Sequence, residues 1–153
     1  MVFPQLNRKE TKMPVRNAQA QWTGGLQDGK GTMALGSGAF EGQYSFGSRF
    51  EEGVGTNPEE LIGAAHAGCF TMALSLILGE AKLTAERMDT TAEVTLEKVA
   101  DGFAITAVHL TLKAKILGAD KAKFDELAAK AKAGCPVSKL LNTKITLDAS
   151  LVS

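Results

Sequence analysis

The sequence predicts an α+β domain with a mostly antiparallel sheet, in the order β-meander, long central helix, β-hairpin, helix, short helix and strand. Three observations carry this prediction. The glycine-rich first third holds short strand-like runs, the middle holds some twenty residues of apolar or small side chains, and the second half alternates with a period of two.

Residues 1–14 are polar, carry Pro4 and Pro14, and show no periodicity, so they read as a loose extension before a single domain over residues 15–153. Met13 is a conceivable internal start. The runs QAQW, GTMAL and AFEGQYSF follow, with GGLQDGKG as a hairpin connection whose glycines allow the positive φ of such turns. Asn57 as N-cap, Pro58 at the first helical position and Glu60 three residues after the cap start a helix. Within it Leu61, Ala65, Cys69, Met72 and Leu76 recur at helical spacing, while Ile62, Ala73 and Ile77 widen the apolar surface. A helix apolar almost all round is expected to be buried on most sides.

Ala92, Val94 and Leu96 then alternate with Thr91, Glu93, Thr95 and Glu97. Ala100, Asp101 and Gly102 make the turn, and FAITAVHLTLKAKI is the return strand. Phe103 and Ile105 fall on one parity but Val108, Leu110 and Leu112 on the other, which predicts a bulge or a two-sided environment near Thr106. Asp120 caps an amphipathic helix on Phe124, Leu127, Ala128 and Ala131, ended by Gly134. Cys135 and Pro136 open a short helix, and Ile145, Leu147, Ala149 and Leu151 form the last strand.

Over 153 residues, 17 basic side chains balance 17 acidic ones, which argues against nucleic acid as the main partner. No stretch is read as approaching the ~20 apolar residues of a membrane span. The first residues lack the apolar run of a secretory signal, so the expected compartment is the reducing cytoplasm, where structural disulfides are rare.

Cys69 and Cys135 are the two cysteines, and neither belongs to a Cys-x-x-Cys motif. From spacing alone, Cys69 reads first as a small hydrophobe on a buried helix. Cys135 sits where a helix begins, where its sulfur can meet free backbone N–H groups or merely occupy a cap position. His66, three residues before Cys69 on the same side of the helix, is a candidate to tune the thiol. His66, Cys69, His109 and Cys135 are too scattered for a good zinc signal, so no metal and no cofactor is expected.

The run Thr56-Asn57-Pro58-Glu59-Glu60-Leu61, continued through Ala64-Ala65-His66-Ala67-Gly68-Cys69-Phe70, resembles the central helix of the OsmC/Ohr family. Lys132-Ala133-Gly134-Cys135-Pro136-Val137-Ser138 resembles that family's second cysteine motif. With GKGT, SRFE, the DTTAEVTLEKV/GFAIT hairpin and ITLD, the likeness to the OsmC branch (osmotically inducible protein C) spans residues 19–151. It implies an intertwined homodimer and a cysteine peroxidase that reduces organic hydroperoxides, and hydrogen peroxide less well. It implies that Cys69 attacks, that Cys135 resolves as a Cys69–Cys135 disulfide, and that Arg49 and Glu59 complete the site. It also implies regeneration by a dithiol or lipoyl-type reductant. The residues before Gln19 have no counterpart in the family pattern.

Chemistry sets a requirement on such a site. At a pKa of ~8.5 only about 3% of a thiol is thiolate at pH 7. A shift of ~2 units takes roughly 2.7 kcal/mol. A helix N-terminus offers ~0.3–1 kcal/mol, whereas a guanidinium about 4 Å away offers on the order of 4 kcal/mol at an effective dielectric near 20. Arg49 is the candidate cation and Glu59 the group to hold it by a bidentate pair. Otherwise Arg49 is a surface arginine at a strand end and Glu59 a dipole-favoured residue of a first helical turn.

Glu59 and Cys69 are separated by ten helical residues, ~15 Å along the axis and about 80° around it. No glutamate side chain closes that gap. A two-fold dimer in which each site takes Arg49 and Glu59 from the neighbouring subunit satisfies the geometry. Two other readings stay open: a non-catalytic dimer holding a lipid-like ligand in an apolar cleft, and a redox-sensing dimer.

Overall fold

The computed structural model describes residues 13–153, so the expected extension over residues 1–14 lies, up to residue 12, outside the described residues. The chain divides into two compact units, the first ending at Thr56 and the second comprising Asn57–Ser153.

The first unit is the expected meander. Strands β1 (Ala18–Thr23), β2 (Lys30–Leu35) and β3 (Glu41–Tyr44) pair antiparallel in that order. Gly31 stands opposite Trp22 on one side and Tyr44 on the other. A Cβ there would fall 2.7 Å from the Tyr44 ring and 2.8 Å from the Trp22 ring. With no side chain in the way, the two rings meet across the glycine at 5.3 Å between centroids.

The third strand ends two residues before the end of the expected run. Ser45 and Ser48 close a reciprocal capping box, each side-chain oxygen accepting from the other's backbone N–H. That box starts α1 (Phe46–Phe50), with Arg49 in its last turn. The reading of Arg49 as a residue at a strand end is thereby corrected. Its guanidinium lies 5.3 Å from the Phe50 ring centroid.

The second unit begins with α2 (Pro58–Glu80), started as expected by Asn57, whose side chain accepts from the Glu60 N–H at 2.8 Å. Next come the long hairpin β4 (Ala85–Val99) and β5 (Gly102–Ile116). In its register Thr95 faces Ala107 while Leu96 faces Ile105, leaving Thr106 as the extra residue of a bulge. This is where the parity of the return strand breaks. Helix α3 (Lys121–Gly134) is capped by Asp120, and α4 (Pro136–Leu140) and β6 (Lys144–Leu151) complete the chain. β6 pairs parallel with β5, made possible by the α3–α4 crossover. The sheets are mostly antiparallel and the class is α+β, as expected.

The core joins Phe70, Leu74 and Ile77 of α2 to Val108, Leu110 and Leu112 of β5 and Phe124 of α3. α2 therefore buries a different stripe from the one its spacing suggests. Gly63, His66, Phe70, Leu74, Ile77 and Leu78 face inward, whereas Ala64, Ala65, Gly68, Met72, Ser75 and Gly79 are exposed, Met72 at 78%. A helix apolar all round has no periodicity to select its buried face, and within its own unit only one face is covered. By length and composition α2 is apolar enough to cross a membrane, contrary to the expectation that no stretch approaches this. Its inward side chains are those of a core helix.

Candidate active site

Helix α2 carries Cys69 half-buried, and the α3–α4 junction carries Cys135 with 0% exposure. Cys135 is at once the C-cap of α3 and the N-cap of α4, because Pro136 has no N–H to continue the first helix yet suits the first position of the second. Its own N–H bonds the Ala131 carbonyl.

The structure brings the two thiols together: Cys69 packs against the core cluster that contains Cys135, and the Cys135 side chain acts on the Cys69 thiol. The sequence leads one to expect the Cys135 sulfur to collect the free N–H groups opening α4. Instead it makes no capping bond, and the Val137 N–H, second in that helix, acts on the Cys69 thiol. Burial pushes the Cys69 thiol up, the Cys135 side chain adds to this, and the Val137 N–H pulls it down. The net direction is upward. Inside the unit that holds it, Cys69 is a poor thiolate.

One turn back on α2, His66 is 0% exposed and shares a 2.7 Å hydrogen bond between Nε2 and the Ser138 Oγ. Burial lowers its pKa, so the ring is held neutral. Its Nδ1 has no hydrogen-bond partner among the described residues, an omission of a kind that costs roughly 1–3 kcal/mol.

His109 lies elsewhere, on β5, with its ring nitrogens at Thr146 and Asp148 of β6. The four scattered His and Cys residues are thus not gathered at one point, and no group of three or more His, Cys, Asp or Glu is placed to hold a metal among the described residues. Glu59 lies in the first turn of α2, ten residues before Cys69, with the axial separation that entails. Of the apolar residues near Cys69 on α2, Phe70 is wholly core and Met72 lines an open groove between α2 and β4 with Thr71, Met88 and Thr90. Neither cysteine lines that groove. Val137 and Ser138 were not singled out from the sequence. The available signal was the helix start at Pro136, which leaves unbonded N–H groups beside a cysteine.

Comparison with known proteins adds an independent line. Residues 51–150 match the family model described as OsmC-like protein, a span that takes in Glu59, Cys69 and Cys135. The chain is 54% identical over 139 residues to Peroxiredoxin OsmC of Escherichia coli (strain K12), covering 90% of this chain and 97% of that one. It is 31% identical over 100 residues to the Organic hydroperoxide resistance protein of Xanthomonas axonopodis pv. citri, covering 65% and 68%. Among solved structures, an organic hydroperoxide resistance protein OsmC from Legionella pneumophila superposes with a TM-score of 0.68 at 26% identity, covering 92% of this chain and 100% of that one. An OsmC-like protein from Mycoplasma pneumoniae shares the fold at a TM-score of 0.73 and 15% identity, covering 92% and 99%.

Proposed function

The chain belongs to the OsmC-like family, and from that premise we propose that it is a thiol-dependent peroxidase reducing organic hydroperoxides, and hydrogen peroxide less well. The observation that carries the reading is the side-chain contact of Cys69 with Cys135, both at family-matched motifs.

The Cys69 thiolate attacks one peroxide oxygen; an S–O bond forms, the O–O bond breaks, and the departing alkoxide takes a proton to leave as alcohol. The Cys135 thiolate then attacks the Cys69 sulfur; the S–S bond forms and the sulfenic oxygen leaves as hydroxide, protonated to water. An external dithiol or lipoyl-type reductant reopens the bond and is itself oxidised.

The upward push on the Cys69 thiol sets what the site still needs, a cation. Arg49 is the residue at the family-matched position and Glu59 the carboxylate to orient it. Because ten helical residues separate Glu59 from Cys69, the pair is contributed by a second subunit in a two-fold homodimer with composite sites. The exposed apolar and small residues of α2 support this assembly, since a second copy laid along them covers what the helix's own unit leaves open.

The test is consumption of cumene hydroperoxide with a dithiol reductant. Sustained turnover that disappears in Cys69→Ser supports the reading. No turnover, as for a ligand-binding or redox-sensing dimer, overturns it, and unchanged turnover in Cys69→Ser overturns the nucleophile.

A further inference from the structure

Two residues outside the reacting pair tie the same two helices together. His66 and Cys69 lie three residues apart on α2, one turn, and therefore on one face. Cys135 and Ser138 are likewise three apart, at the N-cap and third position of α4. The partners are matched across the junction: Cys69 with Cys135, and His66 with Ser138 at 2.7 Å. Building on the peroxidase reading above, we infer that His66 and Ser138 are positioning residues for the resolving step, holding the start of α4 so that the Cys135 sulfur stays aimed at Cys69.

Three features of the structure carry this. Helix α4 is five residues long, too short to fix its own place, so its contacts with neighbours set where Cys135 points. Cys135 is fully buried, which leaves it no room to find Cys69 by a wide search. The His66 ring is fully buried with Nδ1 unpartnered among the described residues, so the Ser138 bond is its polar tie to the protein. An apolar side chain would fill that site without an orphan nitrogen. A histidine there gains its purpose from the residue it holds.

Resolution is exposed to such a loss of aim, whereas the first attack is not. The peroxide meets Cys69, which sits on the long rigid helix α2. The S–S bond forms only when the Cys135 sulfur approaches in line with the S–O bond that breaks. Releasing α4 therefore slows the second step alone.

The experiment follows both steps in the full-length chain, using one equivalent of cumene hydroperoxide. Peroxide loss reports the first step, and disulfide formation together with dimedone capture of the sulfenic acid reports the second. Ser138→Ala, which deletes one oxygen from a half-buried position, is the variant safest for folding; His66→Leu and His66→Gln accompany it. The expected result is unchanged peroxide loss in all three. Disulfide formation is about tenfold to a hundredfold slower in Ser138→Ala and His66→Leu, with matching dimedone capture. His66→Gln, whose amide reaches the place of Nε2, recovers much of the rate. Wild-type resolution in Ser138→Ala, or equal slowing of both steps, overturns the positioning role while leaving the peroxidase reading intact. If the wild-type chain forms no sulfenic acid, the peroxidase reading falls and this inference falls with it.

Discussion

Cys69 and Cys135 lie together where α2 packs against α4, yet they are unequally open to solvent: Cys69 is half-buried and Cys135 is 0% exposed. The asymmetry assigns an order to their chemistry with outside reagents. Alkylation of the reduced protein by a small maleimide will modify Cys69 at least about tenfold faster than Cys135, because access as well as thiolate content sets the rate. By the same access, a reducing dithiol is expected to attack the Cys69 sulfur of the oxidised protein, with Cys135 as the leaving group. Peptide mapping after brief labelling checks this, and equal labelling of both residues would contradict it.

Stability carries the mark of His66. Its pKa in the folded chain is lowered by burial from 6.5. Above that value neither state holds the proton and the residue contributes no pH dependence. As the pH falls below it the unfolded chain takes up a proton that the folded chain refuses, so the fold loses stability until the folded value is reached. The loss approaches about 1.4 kcal/mol per pH unit within that window. Urea unfolding at pH about 7.5 and about 5.5 should therefore show a larger drop for the wild type than for His66→Gln. Equal drops would count against a neutral, buried His66.

Much of this architecture was legible from local pattern. The parity break in the return strand located the Thr106 bulge, and Asn57-Pro58 and Asp120 fixed two helix starts, because each is a signal written within a few residues. Helix α1 was not legible, since five residues hold less than two turns of periodicity and its start rests on two serines reading as strand. The parallel pairing of β6 was hidden because a strand's own alternation does not name its neighbour. At the site, both cysteines stood out by chemistry. The Val137 N–H and the Ser138 hydroxyl did not, because they matter only once α4 is laid against α2.

The exposed stripe of α2 makes a prediction about assembly. Met72 is 78% exposed in the single chain, so replacing it should not touch the core. In a two-fold dimer with α2 helices side by side, Met72→Glu brings two carboxylates close together. Like charges so placed cost several kcal/mol, which corresponds to a dissociation constant raised at least about a hundredfold. Sedimentation at micromolar concentration should find the wild type dimeric and Met72→Glu largely monomeric with its fold retained. A monomeric wild type would remove the basis for composite sites.

Composite sites predict complementation. Neither Cys69→Ser nor Arg49→Ala homodimers should turn over hydroperoxide appreciably, the second because Cys69 then keeps the raised thiol pKa that burial gives it. Refolding a mixture of the two should restore activity, because in the heterodimer one site joins an intact Cys69 to an intact Arg49. If heterodimers demonstrably form and stay inactive, Arg49 serves the thiol of its own chain.

The central claim, that Cys69 is oxidised by a hydroperoxide and resolved by Cys135, is tested most directly by locating the bond that forms. The fully reduced protein is treated with one equivalent of cumene hydroperoxide, quenched by alkylation and digested without reductant. The account predicts that the two free thiols disappear together and that one cross-linked peptide pair appears, joining Cys69 to Cys135 within a chain. A cross-link mainly between the Cys69 residues of two chains, or persistence of both thiols while the peroxide is consumed, would contradict it.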